Sequence, residues 1–118
     1  MLIMYENKPM EGGSAVLCIS FKDDNKSPIV PLTLSWTLCD ALGGIINNRQ
    51  DEVVDTPASV TKILVYGDDL KLTDAEDDGF RLVLLDGTYD SSLGDGIPLK
   101  DQFGFYIERR VISSNPLL

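Results

Sequence analysis

Histidine is missing from the chain altogether. Its absence removes the Ser-His and Cys-His catalytic dyads and every His-containing zinc site. Basic residues are few: Lys and Arg number 10 against 19 Asp and Glu, a formal charge of −9. Phosphate binding needs clustered Lys and Arg, so no nucleic-acid partner is expected. No uninterrupted apolar run exceeds five residues, far short of the roughly 20 of a membrane-spanning helix, so no membrane partner is expected either. Neither a GxGxxG nor a GxxxxGK pattern occurs, and no phosphate loop is indicated. The first residues lack a basic region, a long apolar stretch and a small-residue cleavage site, which predicts synthesis and folding in a cytoplasm.

Cysteine is scarce as well: Cys18 and Cys39 are the whole complement. Cytosolic thiols stay reduced. The two are therefore expected as half-buried thiols and not as an inter-sheet disulfide. The sequon Asn25-Lys26-Ser27 is followed by Pro28 and has no export signal to accompany it, so it is set aside.

What is present is a 118-residue chain, 43% hydrophobic, of a size that buries somewhat over ~60% of its unfolded surface without disulfide or metal. Its dominant period is two. Ala15, Leu17, Ile19 and Phe21 alternate with Val16, Cys18 and Ser20. Leu32, Leu34, Trp36 and Leu38 alternate with Thr33, Ser35 and Thr37, placing Cys39 on the polar side. Val83, Leu85, Gly87 and Tyr89 share one face, as do Phe103, Phe105 and Ile107. Such alternation turns one side of a strand into a core. Residues 45–54 read as a short strand interrupted by Asn47-Asn48 or as an irregular edge. Residues 60–66 are β-branched and apolar, with a phase change around Lys62 that suggests a bulge or an edge position.

Turn residues separate these runs: Lys22 to Asn25 with Pro28 and Pro31, Asp40 to Gly44, Pro57, Gly67-Asp68-Asp69, residues 74–79, and residues 90–98. Gly, Pro, Asn and Asp tolerate or preset turn dihedrals. One helical turn over residues 73–77 is expected, with Thr73 as N-cap and Glu76 at capping-box spacing. The pattern predicts an all-β fold, an immunoglobulin-like antiparallel β-sandwich of six to seven strands. A small closed barrel is the alternative, and the Cys-Trp-Cys spacing of antibody domains is absent. Residues 1–14 are read as an N-terminal arm or edge strand, 15–108 as the sandwich and 109–118 as a C-terminal arm.

Carboxylates are the only abundant reactive groups. Asp23-Asp24, Asp68-Asp69, Asp74, Glu76, Asp77, Asp78, Asp90 and Asp95 all fall in predicted loops and read as solvated turns. Calcium takes oxygen ligands from such loops, but residues 74–79 lack the ligand alternation and closing Glu of an EF-hand. Nothing singles out a carboxylate pair for glycoside hydrolysis. Ser35, Ser59 and Ser91 have no base. No catalytic residue, cofactor or metal ligand is assigned. The chain ends carry apolar residues beyond the core strands. The candidate contact residues are Leu2, Ile3, Met4 and Tyr5 at one end, and Arg109, Arg110, Val111, Ile112, Leu117 and Leu118 at the other. Ile45 and Ile46 on the predicted edge complete the set.

Four segments occur in a suggestive order. They are Leu34-Ser35-Trp36-Thr37-Leu38 with Asp40 and Gly43; Ser59-Val60-Thr61 leading to Gly67-Asp68-Asp69-Leu70; Gly87-Thr88-Tyr89-Asp90-Ser91 with Leu93-Gly94; and Pro98-Leu99-Lys100 before Phe103 to Ile107. The ordered set resembles small immunoglobulin-like proteins encoded among the structural genes of tailed bacteriophages, over roughly residues 15–107. Lys62 and the acidic loop at 74–79 depart from that pattern and leave the register of the fourth strand open. The resemblance implies a virion component without catalytic residues, assembled in the host cytoplasm. It would be held at the tail, at the head–tail junction or on the capsid by contacts with other virion proteins, in multiple copies or as a homo-oligomer. A carbohydrate- or receptor-binding module is the alternative, with Tyr66, Phe80 and Tyr106 as its candidate aromatics.

Overall fold

The computed structural model describes the backbone of residues 3–4 and all of residues 8–110. Among these residues seven strands run in chain order: β1 (Ile3–Met4), β2 (Ser14–Ser20), β3 (Thr33–Cys39), β4 (Glu52–Val53), β5 (Val60–Tyr66), β6 (Phe80–Ser91) and β7 (Gly94–Tyr106). They form two sheets, one of five strands in the order β1-β7-β6-β3-β4 and one of two, β2-β5. All pairings are antiparallel except β1 with β7, which is parallel. This is an all-β sandwich. Its β3-β6-β7 and β2-β5 pairings follow the immunoglobulin-like arrangement, in which the second and fifth strands face the third, sixth and seventh.

The period-two pattern accounts for the core. Leu17 and Ile19 from the small sheet, with Ile63 and Val65 and with Phe21 just past β2, pack on Leu34, Trp36, Leu38, Val83, Leu85, Phe103 and Phe105 from the large one and on Ile107 just past β7. Each buried apolar side chain of this size contributes about 1.5–3 kcal/mol. Gly87 has a packing reason. A Cβ there would lie 2.2 Å from the Thr33 carbonyl oxygen, so only glycine lets β6 approach β3 at Leu34.

Several local expectations change. Leu32 is exposed, because Pro31 takes the buried place before β3 and breaks the alternation. β5 keeps strict alternation through Lys62, with Thr61, Ile63 and Val65 inward. Thr61 satisfies its hydroxyl on the Ala58 carbonyl, which makes a polar residue tolerable on the inner face. Of the two readings of residues 60–66, the edge position holds, since β5 ends the two-stranded sheet; the bulge lies instead in the β6–β7 hairpin, between Tyr89 and Ser91. Residues 90–98 are mostly strand, not loop: the hairpin continues to a tight tip at Ser92 and Leu93, with Gly96 taking a positive φ that suits glycine.

Residues 73–77 form a non-helical turn. The Asp77 carboxylate accepts the Thr73 N–H at 2.8 Å and its hydroxyl at 3.0 Å, closing the loop from the opposite end to a capping box. Among the described residues the helical turn is a 3₁₀ turn at Gly67–Leu70. The thiols are also unequal: Cys18 is exposed and Cys39 buried, both free.

Candidate interaction surface

The acids are not all solvated. The Asp69 side chain is 0% exposed. It accepts hydrogen bonds from Arg49 Nε at 2.8 Å, Asn47 Nδ2 at 2.8 Å and the Tyr66 N–H at 3.0 Å. Arg49 also holds Glu52 at 2.7 Å, and its guanidinium lies 5.7 Å from the Trp36 ring centroid and 5.9 Å from that of Tyr66. One side chain thus ties the loop before β4 to both sheets. Burial pushes the Asp69 carboxyl up, but the bonds from Arg49, Asn47 and Tyr66 more than offset this, and its pKa falls below the ordinary value. Bonds to Asp69 and then Glu52 raise that of Arg49.

A second clamp closes one end of the sandwich. Arg81 pairs with Asp77 through its two terminal guanidinium nitrogens, Nη2 at 2.7 Å and Nη1 at 3.1 Å, and donates to the Phe80 and Lys71 carbonyls. Its Nε is buried without a partner. The Arg81 guanidinium holds the Asp77 carboxyl far below the usual range against the effect of burial, with Thr73 and Gly79 assisting. These carboxylates accept from cations, N–H groups and, at Asp77, the Thr73 hydroxyl, and they brace the fold. Among the described residues no group of three or more acids and cysteines could hold a metal ion.

The surfaces open to a partner lie elsewhere. The outer face of β2–β5 carries Val16, Val60, Leu64 and Tyr66, all substantially exposed, with Lys62 as the only charged residue of either strand. The β6–β7 hairpin extends past the end of β3: the β3 ladder stops at Thr33 opposite Thr88, so beyond it, among the described residues, the two hairpin strands pair with each other. Leu93 at its tip is 94% exposed. On the outer face of the same hairpin, at its base, the Phe80 and Tyr106 rings meet at 5.2 Å.

The candidate contact residues are dispersed. Ile3 and Met4 form the edge strand β1 beside Phe103 and Gly104. Ile45 is exposed and bridges Cys39, whereas Ile46 packs partly against the core. Residues 45–54 make an irregular edge with only Glu52–Val53 as regular strand. Arg109 donates to the carbonyls of Asp74 and Asp77, and the Arg110 N–H donates to Glu11, so both are tied to the body of the domain. Leu2, Tyr5, Val111, Ile112, Leu117 and Leu118 lie outside the described residues. From the outer face of β5 only Tyr66 was singled out from sequence, and the hairpin tip was not. The signal for the first was present, since Val60, Leu64 and Tyr66 share one period-two phase.

Among the described residues no helix is long and apolar enough to cross a membrane. No family model, curated protein or solved structure matches the chain.

Proposed function

We propose that this protein is a structural accessory of a tailed-phage virion. It is held at the tail, the head–tail junction or the capsid surface by contacts with other virion proteins, and it acts without catalysis. The observation that carries the reading is the β6–β7 hairpin, which stands clear of β3 beyond Thr88 and ends on an exposed leucine. A rigid two-stranded arm with an apolar tip suits insertion into a neighbouring subunit, because its backbone bonds are already made and only side-chain contacts are needed on docking. The ordered segments that resemble phage structural proteins support the same reading, as does the Arg49 and Arg81 bracing of the loops around a compact body.

Imaging of intact particles, with detection of the chain in purified virions, tests it. Density for the sandwich at a symmetric position is expected; absence from purified particles refutes it. Removing residues 111–118 is expected to abolish incorporation while the isolated domain stays folded. A glycan-binding module is the second reading, favoured by the Phe80–Tyr106 ring pair. Binding on a glycan array with or without calcium would favour it, and silence in both conditions would dismiss it.

A further inference from the structure

We infer that the open edge of β5 is a strand-addition site for an extended segment of another protein, one that places a carboxylate opposite Lys62 and apolar side chains two residues to either side. The inference rests on the protein-contact reading above and concerns a surface distinct from the hairpin.

Backbone geometry defines the site. The Phe21 N–H bonds the Ser59 carbonyl, and the Gly67 N–H bonds the Gly13 carbonyl. With the printed register, this makes the odd-numbered residues of β5 the bonded partners of β2. In an antiparallel ladder the alternate residues direct both N–H and C=O to the other side. Those residues are Val60, Lys62, Leu64 and Tyr66. The Tyr66 N–H is already taken by the Asp69 carboxylate at 3.0 Å. Among the described residues no strand lies beyond β5. Val60, Lys62 and Leu64 thus present an open ladder, closed at its C-terminal end by Asp69.

Unpaired edge groups of this kind template the addition of a strand, with affinity from the main chain and specificity from alternate side chains. Here those side chains are Val60 and Leu64, each 52% exposed, flanking Lys62.

Lys62 selects the occupant. A second copy pairing antiparallel about this residue would set Lys62 against its own counterpart, and like charges directly opposite are destabilising. A register shifted by two would set the ammonium against Val60 or Leu64 and lose their apolar pairing. A carboxylate opposite Lys62 satisfies the only charge on the strand pair and keeps both apolar pairs. In a chain of net charge −9, this strand pair is a place where an acidic segment meets no acid from the same two strands.

The test uses the full chain, isotope-labelled, with two synthetic peptides, Thr-Val-Thr-Glu-Thr-Val-Thr and its counterpart with Lys in place of Glu. Slowed amide exchange at Val60, Lys62 and Leu64 is expected on adding the Glu peptide. Its affinity should exceed that of the Lys peptide by about threefold or more, and the order should invert in Lys62→Glu. Leu64→Pro removes an outward N–H, which an edge position tolerates, and should abolish binding with Trp36 fluorescence unchanged.

Equal affinities, perturbations confined to β1 or β4, or no response at millimolar peptide would overturn the inference. So would concentration-dependent dimerisation that protects the same amides without peptide, since it would assign the edge to a second copy. Particle imaging fails or succeeds independently, because it reads where the protein sits and not what pairs with β5.

Discussion

Replacing Asp77 by alanine should be among the most damaging single changes available in this chain. The carboxylate meets both terminal guanidinium nitrogens of Arg81, the Thr73 N–H and hydroxyl, and the Gly79 N–H. Arg81 is 2% exposed and its Nε already lacks a partner. A guanidinium does not shed its proton at accessible pH. Asp77→Ala therefore leaves a buried cation with only two carbonyls. Breaking a buried pair from one side costs about 3–5 kcal/mol, and the two lost charge-assisted bonds, at roughly 1.5–3 kcal/mol each, give the same range. Domains of this size are stable by about 5–15 kcal/mol, so roughly a fifth or more of the total is at stake, on the order of 10–20 °C in Tm.

Arg81→Met should cost less, because Asp77 keeps the Thr73 and Gly79 donors. The double variant should be more stable than the sum of the singles implies, by about 2 kcal/mol. Urea titration followed by the fluorescence of Trp36, the single tryptophan, measures all three. A loss under about 1 kcal/mol for Asp77→Ala, or strict additivity, would refute the reasoning.

Stability should be nearly flat from about pH 5 to 8, since no histidine titrates there. Asp69 and Asp77 have lowered pKa values in the fold, so below about pH 4 the unfolded chain binds more protons and stability falls with falling pH. Thermal melts from pH 8 to 2 should show this, with a shallower acid limb in Asp77→Asn; an unchanged limb would be the wrong result. Cys18 should react with a thiol reagent at once in the native protein. Cys39, buried and with its thiol pKa raised by burial and by Asp40, should react only on unfolding, and equal rates would contradict the burial. Gly87→Ala forces a Cβ against the Thr33 carbonyl and should cost about 2–3 kcal/mol, read as a lower urea midpoint at constant slope; an unshifted midpoint would count against the close approach.

The class of fold and most of the inside were legible in the order of residues alone. Alternation is a local property of extended backbone, so Leu17, Leu34, Trp36, Val83, Phe103 and Phe105 declared their direction without knowledge of any partner strand. Arg81 was legible in the same way, being in phase with Val83 and Leu85, though its charge argued against reading it as buried. Asp69 was not. Nothing in Gly67-Asp68-Asp69-Leu70 distinguishes the acid that turns inward from its neighbour, because the choice is made by Arg49 and Asn47, about twenty residues away in the chain.

Residues 60–66 marked the limit differently. They are apolar in both phases, so the pattern alone could not say which face is core. Tertiary structure decided it, placing Thr61, Ile63 and Val65 inward and leaving Val60, Leu64 and Tyr66 outside. It decided also between an edge and a bulge at residues 60–66, since an edge is defined by the absence of a neighbour and Lys62 fits either. The direction of a side chain is set by the dihedrals of its own residue, whereas the partner of a charge or of a strand edge is set by how distant segments pack.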